Sequence, residues 1–469
     1  MKFVRKFFAI CAAFFFISGV IFPPDTLGIT VKEEEELSRE FLKVVLRNFK
    51  LIEDSLTTSY VNKIGAKIVS VLPSQPFAYQ FYIVDEYVYN AFATPAGHIF
   101  INRGLLEAME NEEELAGILS HEIAHVLCRH ISQKIERSKK IAIATLAGLA
   151  AGIFLGAAAG SGAASAVTVG SMAAGQSAEL AYSREDEMQA DQIGLRYLAK
   201  AGYEGTGLLT ILKKIRGQEW FGSDQIPHYV KTHPAIEDRI AYIDSWIEAN
   251  LKEADKNRRV PSYDFDRFHT RLISNYGEKE VAIGRFKAEV NGSPSDQMAN
   301  YGYGLALARM GNRKDAVFYL KTALEKNAFD YYLLTDLGRI YFLDGRYREA
   351  TRTLENAISV VPNNLDGLFY LGRSQMGLGK FAEAESTFES LLTINGRYAP
   401  AFYFLGEACG RQGKMADAHF YLGIYYKNKG EWKTAAFHLN RALRDMKDPE
   451  KELRIKEILK EIHKESPKS

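Results

Sequence analysis

Cysteine is scarce in this 469-residue chain: Cys11, Cys128 and Cys409 are too few to build a disulfide framework. An excess of one charge is missing as well. With 59 Lys and Arg against 58 Asp and Glu, the formal charge is +1. Nothing is left to condense on phosphates, which excludes nucleic acid as the main partner. Hydrophobic residues at 47% and charged residues at 25% are ordinary proportions, and they exclude a disordered or collagenous chain. At roughly 150 residues per domain the length predicts about three folding units. Long apolar runs are few. Phe7 to Phe22 follows the basic Lys2, Arg5 and Lys6 and stops at Pro23 and Pro24. Its 16 residues fall short of the about 20 that a membrane span needs. Residues 1–27 therefore read as a secretory signal, with an uncleaved anchor as the alternative. Cys11 is filler in that run, and Cys128 and Cys409 are expected to be separate buried thiols.

What the chain does have begins at Asn111, with NEEELAGILSHEIAHVLCRHI. Leu115, Ile118, Leu119, Ile123, Val126 and Leu127 recur at helical spacing, and acids fill the first turn, where the helix dipole favours them. His121 and His125, four residues apart, share one face and can hold one zinc ion. Glu122 is offset from both and is placed to take a proton from an attacking water. A third ligand six residues after His125 is excluded, because Ile131 stands there. His130, nine residues after His121, projects to the opposite helix face and reads as a solvated or core-capping histidine. Downstream, SREDEMQAD supplies Glu187 and Asp191, again four apart. One carboxylate can bind the metal while the other holds a ligand histidine from behind. Glu185 and Asp186 read as a solvated face.

HEIAH followed by SREDEMQAD resembles the zinc peptidases grouped with the CAAX prenyl protease and HtpX. Asn90 to Leu105 (NAFATPAGHIFINRGL) is similar to that family's edge strand, and Thr232-His233-Pro234 with Arg239 to its closing motif. One departure is Ala96, where the family commonly has Gly. The resemblance covers residues 30 to 250 or so. It implies a zinc endopeptidase with a zincin-like α+β domain: His121, His125 and Glu187 as ligands to one Zn2+, Glu122 as base, and Asp191 holding a ligand. His233 and Arg239 would serve the oxyanion, with His233 alternatively filling the open metal position as a latch. The strand around Phe92 to Asn102, with Asn90, Phe92, Ala93, Pro95 and Gly97, would take extended, unfolded polypeptide as an added strand.

The 38 residues from Ile141 to Ala178 carry no charge. His125 precedes them and Glu187 follows, so an odd number of crossings would put these ligands of one ion on opposite sides of a membrane. A helical hairpin or flap, touching a membrane surface at most, is expected instead.

Gly304, Gly338, Gly372 and Gly406 recur every 34 residues, each followed by Ala316, Ala350, Ala384 and Ala418, then Leu320, Leu354, Phe388 and Leu422. This resembles the tetratricopeptide repeat, whose all-α solenoids hold peptides or partner proteins. Gly423, Ala435, Leu439 and Ala442 restart the pattern 17 residues after Gly406, so the helix near Met415 to Tyr426 is expected to serve two units. Lys451 to Lys464 suits a capping helix. Eight aromatics (Tyr301, Tyr303, Tyr341, Phe369, Tyr370, Phe402, Tyr403, Phe404) read mostly as core.

The expected organisation is mainly α: signal 1–27, peptidase 28–251, a linker and docking helix at 252–295, and repeats at 296–469. Family members that join these modules act in the periplasm, in quality control and assembly of outer-membrane proteins. Unfolded or misassembled proteins are thus the expected substrates, and the assembly machinery the expected partner of the repeats. The alternatives are a chaperone-like scaffold and a membrane-anchored protease.

Overall fold

The computed structural model describes residues 29–137, 182–220, 228–250 and 262–465. The expected signal, the uncharged stretch from Ile141 to Ala178 and the polar start of the linker, Lys252 to Pro261, lie outside them. Among the described residues, no helix is long and apolar enough to cross a membrane. Contacts divide the chain into two units: Met1–Leu51 with Ile64–Arg258, and Ile52–Lys63 with Arg259–Ser469.

In the first unit, helix α1 (Val31–Asn48) opens on a capping box, Thr30 and Glu33 each accepting from the other's backbone N–H. Its buried stripe of Leu37, Phe41 and Val45 packs on a small sheet, with Phe41 and Phe92 ring centres 5.9 Å apart. Helix α2 (Ser55–Val69) follows, and only its end, from Ile64, belongs to this unit. Strands β1 (Gln80–Val84), β2 (Ala91–Ala93) and β3 (His98–Asn102) form a sheet of order β1-β3-β2. β3 runs parallel to β1 and antiparallel to β2. The segment expected as one edge strand from Phe92 to Asn102 is therefore a hairpin. Its turn, Pro95–Gly97, puts two successive residues in the left-handed region, Ala96 at φ 61° and Gly97 at φ 85°. Such a reversal cannot continue a strand, so β3 is central and the edge is the three-residue β2.

After α3 (Arg103–Ala108), helix α4 (Glu112–Leu127) starts where Asn111 accepts from the Glu114 N–H at 3.0 Å, and Glu112 to Glu114 face its dipole. A short helix α5 (His130–Arg137) precedes α6 (Arg184–Lys200). Ser183 and Asp186 form a second capping box, and Asp186 also pairs with Lys134 at 3.0 Å, so it is not merely solvated. Gly194 lets α6 lie against α4: a Cβ there would sit 3.2 Å from the Ser120 carbonyl, and the Ser120 hydroxyl donates to Gly194 O at 2.7 Å. Helices α7 (Thr206–Trp220), α8 (His228–Thr232) and α9 (Ile236–Asn250) complete the unit.

The second unit opens with α10 (Tyr263–Tyr276) and α11 (Lys279–Gly292). Four helix pairs follow: α12 (Gln297–Arg309) with α13 (Arg313–Leu324), α14 (Tyr331–Leu343) with α15 (Tyr347–Val360), α16 (Leu365–Gly377) with α17 (Phe381–Ile394), and α18 (Ala399–Arg411) with α19 (Met415–Asn428). Then come α20 (Trp432–Asp445) and α21 (Pro449–Glu465). The 34-residue period has a steric cause. A Cβ on Gly338 would fall 2.5 Å from Leu354 Cγ, and one on Gly423 would fall 2.6 Å from Leu439. α19 therefore closes the fourth pair and opens the next, as the 17-residue restart implies. α21 buries Ile455, Ile458 and Ile462 in the same core, the polar-outside cap that a solenoid end needs. Of the eight aromatics, Tyr301, Tyr341, Phe369 and Phe402 are buried, and Tyr403 is the exposed one.

Residues Ile52–Lys63 join this unit through specific contacts. Arg271 bridges Asp54 at 2.6 Å and Asp336, Tyr301 donates to Asp336 at 2.7 Å, and Tyr332 donates to the Leu56 carbonyl at 3.1 Å. Asp366 lies at the edge of this cluster, taking a long hydrogen bond of 3.4 Å from the Leu56 N–H. Burial and the neighbouring Asp54 charge push its carboxyl up to about 6. Between the usual carboxylate range and that value, the folded chain keeps a proton that the unfolded chain has released. Stability therefore falls as pH rises through this window and stays lower above it. Asp366→Asn is expected to raise the unfolding free energy at neutral pH by about 1–3 kcal/mol. It should also flatten the pH dependence below 6; denaturant melts of both forms check this.

The described cysteines are free. Cys128 is only half-buried, at the end of α4, and Cys409 lies in the repeat core; burial pushes their thiols up to about 11 and about 12. Both are poor nucleophiles.

Candidate active site

Helix α4 carries His121 and His125 one turn apart, and their Nε2 atoms face each other at 3.0 Å. Glu187, from the first turn of α6, brings Oε2 to 3.4 Å of His121 Nε2 and Oε1 to 3.4 Å of His125 Nε2. His233, just past α8, places Nδ1 3.1 Å from Glu187 Oε1, and Nε2 3.1 Å from the carbonyl of Ala91 on the edge strand. These four side chains are fully buried, and each offers a ligand atom within 4.8 Å of the others.

The donor set suits a cation. The Nε2 atoms of His121 and His125 confront each other at 3.0 Å, and both oxygens of Glu122 are buried without a hydrogen bond. Leaving such a group unmatched costs about 1–3 kcal/mol, and more when it is charged, which a nearby cation would offset. The electrostatics agree for His125 and Glu187, whereas on His121 a proton takes the place of a cation. Burial, with charge on His121 adding to it, holds the His125 imidazole well below its usual range, so it stays neutral. Burial and Arg239 also push His121 down, but its bond to Asp191 outweighs them and lifts it to about 9. Against burial, His233 and Arg239 hold Glu187 well below the carboxylate range. Glu122 goes the other way: burial raises it, only partly countered by His233 and His121. Its Oε1 lies 3.6 Å from His233 Nε2.

Asp191 stands where the four-residue spacing puts it, Oδ1 2.8 Å from His121 Nδ1. Arg239 does not stand where an oxyanion donor would. It is fully buried, donating from Nε and Nη2 to the two oxygens of Asp191 at 2.8 and 2.9 Å, and its Nη1 is 2.8 Å from Glu187 Oε2. Its charge is directed at two carboxylates behind the histidines. Phe92 and Ala93 form β2 with Asn90 at its entrance, while Pro95 and Gly97 belong to the turn. The Phe92 ring points into the core and stacks on Phe100, 5.0 Å between centres. All three β2 residues are buried, so a further strand reaches this backbone only when what covers it moves aside.

Three residues near the metal site escape the sequence reading. Tyr182, 3% exposed, stacks on His125 at 3.7 Å between centres, and nothing in its neighbourhood marks it. Tyr229 stacks on His233 at 4.3 Å, and its four-residue offset from His233 was a usable sign. His130 is the third. The helix ends at Leu127 and Arg129 turns left-handed at φ 55°, so projection along one helix to the opposite face fails. The chain folds back and buries His130 with Nδ1 2.8 Å from His125 Nδ1.

A buried pair of histidines on one helix, a glutamate from a second and an unligated Glu122 beside them define a metallopeptidase centre. Residues 55–247 match the family described as Peptidase family M48, and tetratricopeptide repeat families match 301–364, 341–395 and 371–449. The chain is a metallopeptidase carrying a peptidase family M48 domain followed by C-terminal tetratricopeptide repeats. It is 26% identical to the beta-barrel assembly-enhancing protease of Escherichia coli (strain K12) over 334 residues, 70% of this chain and 67% of that protein. The mitochondrial metalloendopeptidase OMA1 of Schizosaccharomyces pombe is 28% identical over 199 residues, 42% of this chain and 55% of that one. OMA1 of Arabidopsis thaliana is 31% identical over 181 residues, covering 36% and 31%.

Proposed function

We propose that this chain is an exported, zinc-dependent endopeptidase of the bacterial envelope. It would degrade unfolded or misassembled proteins, with its repeats recruiting substrate or the machinery that assembles outer-membrane β-barrels. The observation that carries the enzymatic role is the buried cluster of His121, His125, Glu187 and His233 with Glu122 beside it. The relatives named for β-barrel assembly support the envelope setting.

Zinc would be held by Nε2 of His121 and His125 and by Glu187, where it supplies Lewis acidity and lowers the pKa of a water. The remaining work falls to the chain. Glu122, raised by burial, takes the proton of the attacking water on its carboxylate and passes it to the leaving amine. The β2 backbone pairs with the extended substrate, giving affinity with little regard to side chains. Asp191 and Arg239 keep His121 and Glu187 in place. His233 fills the fourth position of the resting cluster as a latch. His233→Ala is then expected to raise casein degradation, and a fall under every condition would assign His233 to the oxyanion instead.

Capture tests the substrate class. The Glu122→Gln chain, expressed in cells and isolated intact, is expected to retain exported proteins caught before assembly. Recovery of cytosolic proteins alone would sink the envelope assignment.

A further inference from the structure

His130 lies outside the metal cluster, yet it is wired to it. Its Nε2 is 2.9 Å from Gln189 Oε1, and its Nδ1 is 2.8 Å from His125 Nδ1. A side-chain amide oxygen only accepts, so the hydrogen on this contact belongs to His130 Nε2. In a neutral imidazole the other nitrogen is then a bare acceptor. The short Nδ1–Nδ1 contact must accordingly be filled by a hydrogen on His125 Nδ1, donated to His130. That leaves the lone pair of His125 on Nε2, the atom that faces His121 Nε2 and Glu187. The opposite tautomer would put a hydrogen where a metal has to bind.

We propose that His130, oriented by Gln189, is a positioning residue that selects the metal-binding tautomer of His125. The proton order Gln189 Oε1 ← His130 Nε2–H, His130 Nδ1 ← His125 Nδ1–H serves one ligand as Asp191 serves the other. Both partners of the relay come from elements that already frame the site. His130 opens α5 after the left-handed Arg129, and Gln189 sits two residues after Glu187 on α6. The backbone turn at Arg129 is what brings the imidazole back, so a helix run straight through from α4 would lose the contact.

The inference rests on the metal reading above, and one assay separates the two. Zinc affinity of the intact chain is measured by competition with a chromogenic chelator at one fixed pH, alongside circular dichroism. Failure of the unsubstituted chain to bind zinc would remove the metal reading itself. His130→Leu deletes the acceptor and is expected to weaken zinc binding about 10- to 100-fold, the usual cost of losing such a partner. His130→Gln offers an amide oxygen to the same His125 N–H and is expected to recover most of that loss. Unchanged affinity in His130→Leu overturns the proposal. So does a His130→Gln form as weak as His130→Leu, which would mean that ring shape, not the acceptor, matters. Should His130→Leu fail to fold, Gln189→Leu decides, because its side chain lies at the surface. A severalfold loss of zinc affinity with an unaltered fold is the expected result there, and no loss overturns the proposal.

Discussion

Glu122→Gln will lower kcat/KM for unfolded casein by about 10²–10⁴-fold, the range a general base contributes, while the chain keeps its zinc. The separation of effects follows from the position of the side chain. Neither carboxylate oxygen of Glu122 accepts a hydrogen bond, and the side chain is not among the ligand atoms of the cluster. The amide therefore removes no hydrogen bond and no metal bond, only the charge that lies 3.6 Å from His233. It also removes a charge whose burial is unfavourable, as the raised carboxyl of Glu122 records, so the unfolding midpoint is expected to stay or rise. Fluorescent casein and metal analysis on the same preparation check both halves. Activity within tenfold of the parent, with zinc present, would mean that another group takes the proton. A loss of zinc along with activity would mean that Glu122 is a ligand.

The features of this protein legible in its sequence are those set by local periodicity. His121 and His125 reach one ion because a helix repeats every 3.6 residues, and Glu187 and Asp191 obey the same rule on their own helix. Gly338 against Leu354 is equally local, since each repeat reproduces the same helix–helix approach. Where legibility failed, the chain changes direction within a few residues. Ala96 and Gly97 turned an expected strand into a hairpin, and Arg129 returned His130 to the site that helical projection denied it. A single left-handed non-glycine residue leaves little trace in a pattern of residue types. Long-range pairing was the second blind spot. Nothing near Asp54 announces Arg271, more than two hundred residues away, so the membership of Ile52–Lys63 in the repeat unit had no local sign. For Arg239 the motif gave no sign that the side chain turns to Asp191 and Glu187, because a motif names a residue without saying which way its guanidinium points.

That orientation makes Arg239 the side chain whose loss should cost the most stability in the peptidase unit. Arg239→Ala is expected to lower the unfolding free energy by about 3–5 kcal/mol, because it strands buried charge. Asp191 would lose two hydrogen bonds and Glu187 one of its ion-pair partners, in a place where neither carboxylate reaches water. Burial favours the neutral form of both, and Arg239 is among the groups holding each of them below the usual range. Without it their pKa values should climb, and stability should fall most steeply as pH rises and both are forced to ionise. Zinc would compensate Glu187 but not Asp191, so added zinc should restore some of the loss and stabilise the variant more than the parent. Arg239→Lys keeps a charge but not the fork that spans two oxygens of Asp191 and reaches Glu187, and an intermediate loss is expected. Denaturant melts of the three chains, with and without zinc, give the result. An oxyanion donor would behave differently, since its removal lowers kcat and leaves the unfolding free energy nearly unchanged. If Arg239→Ala melts like the parent and loses only turnover, the guanidinium works on the substrate and not on the ligands behind it.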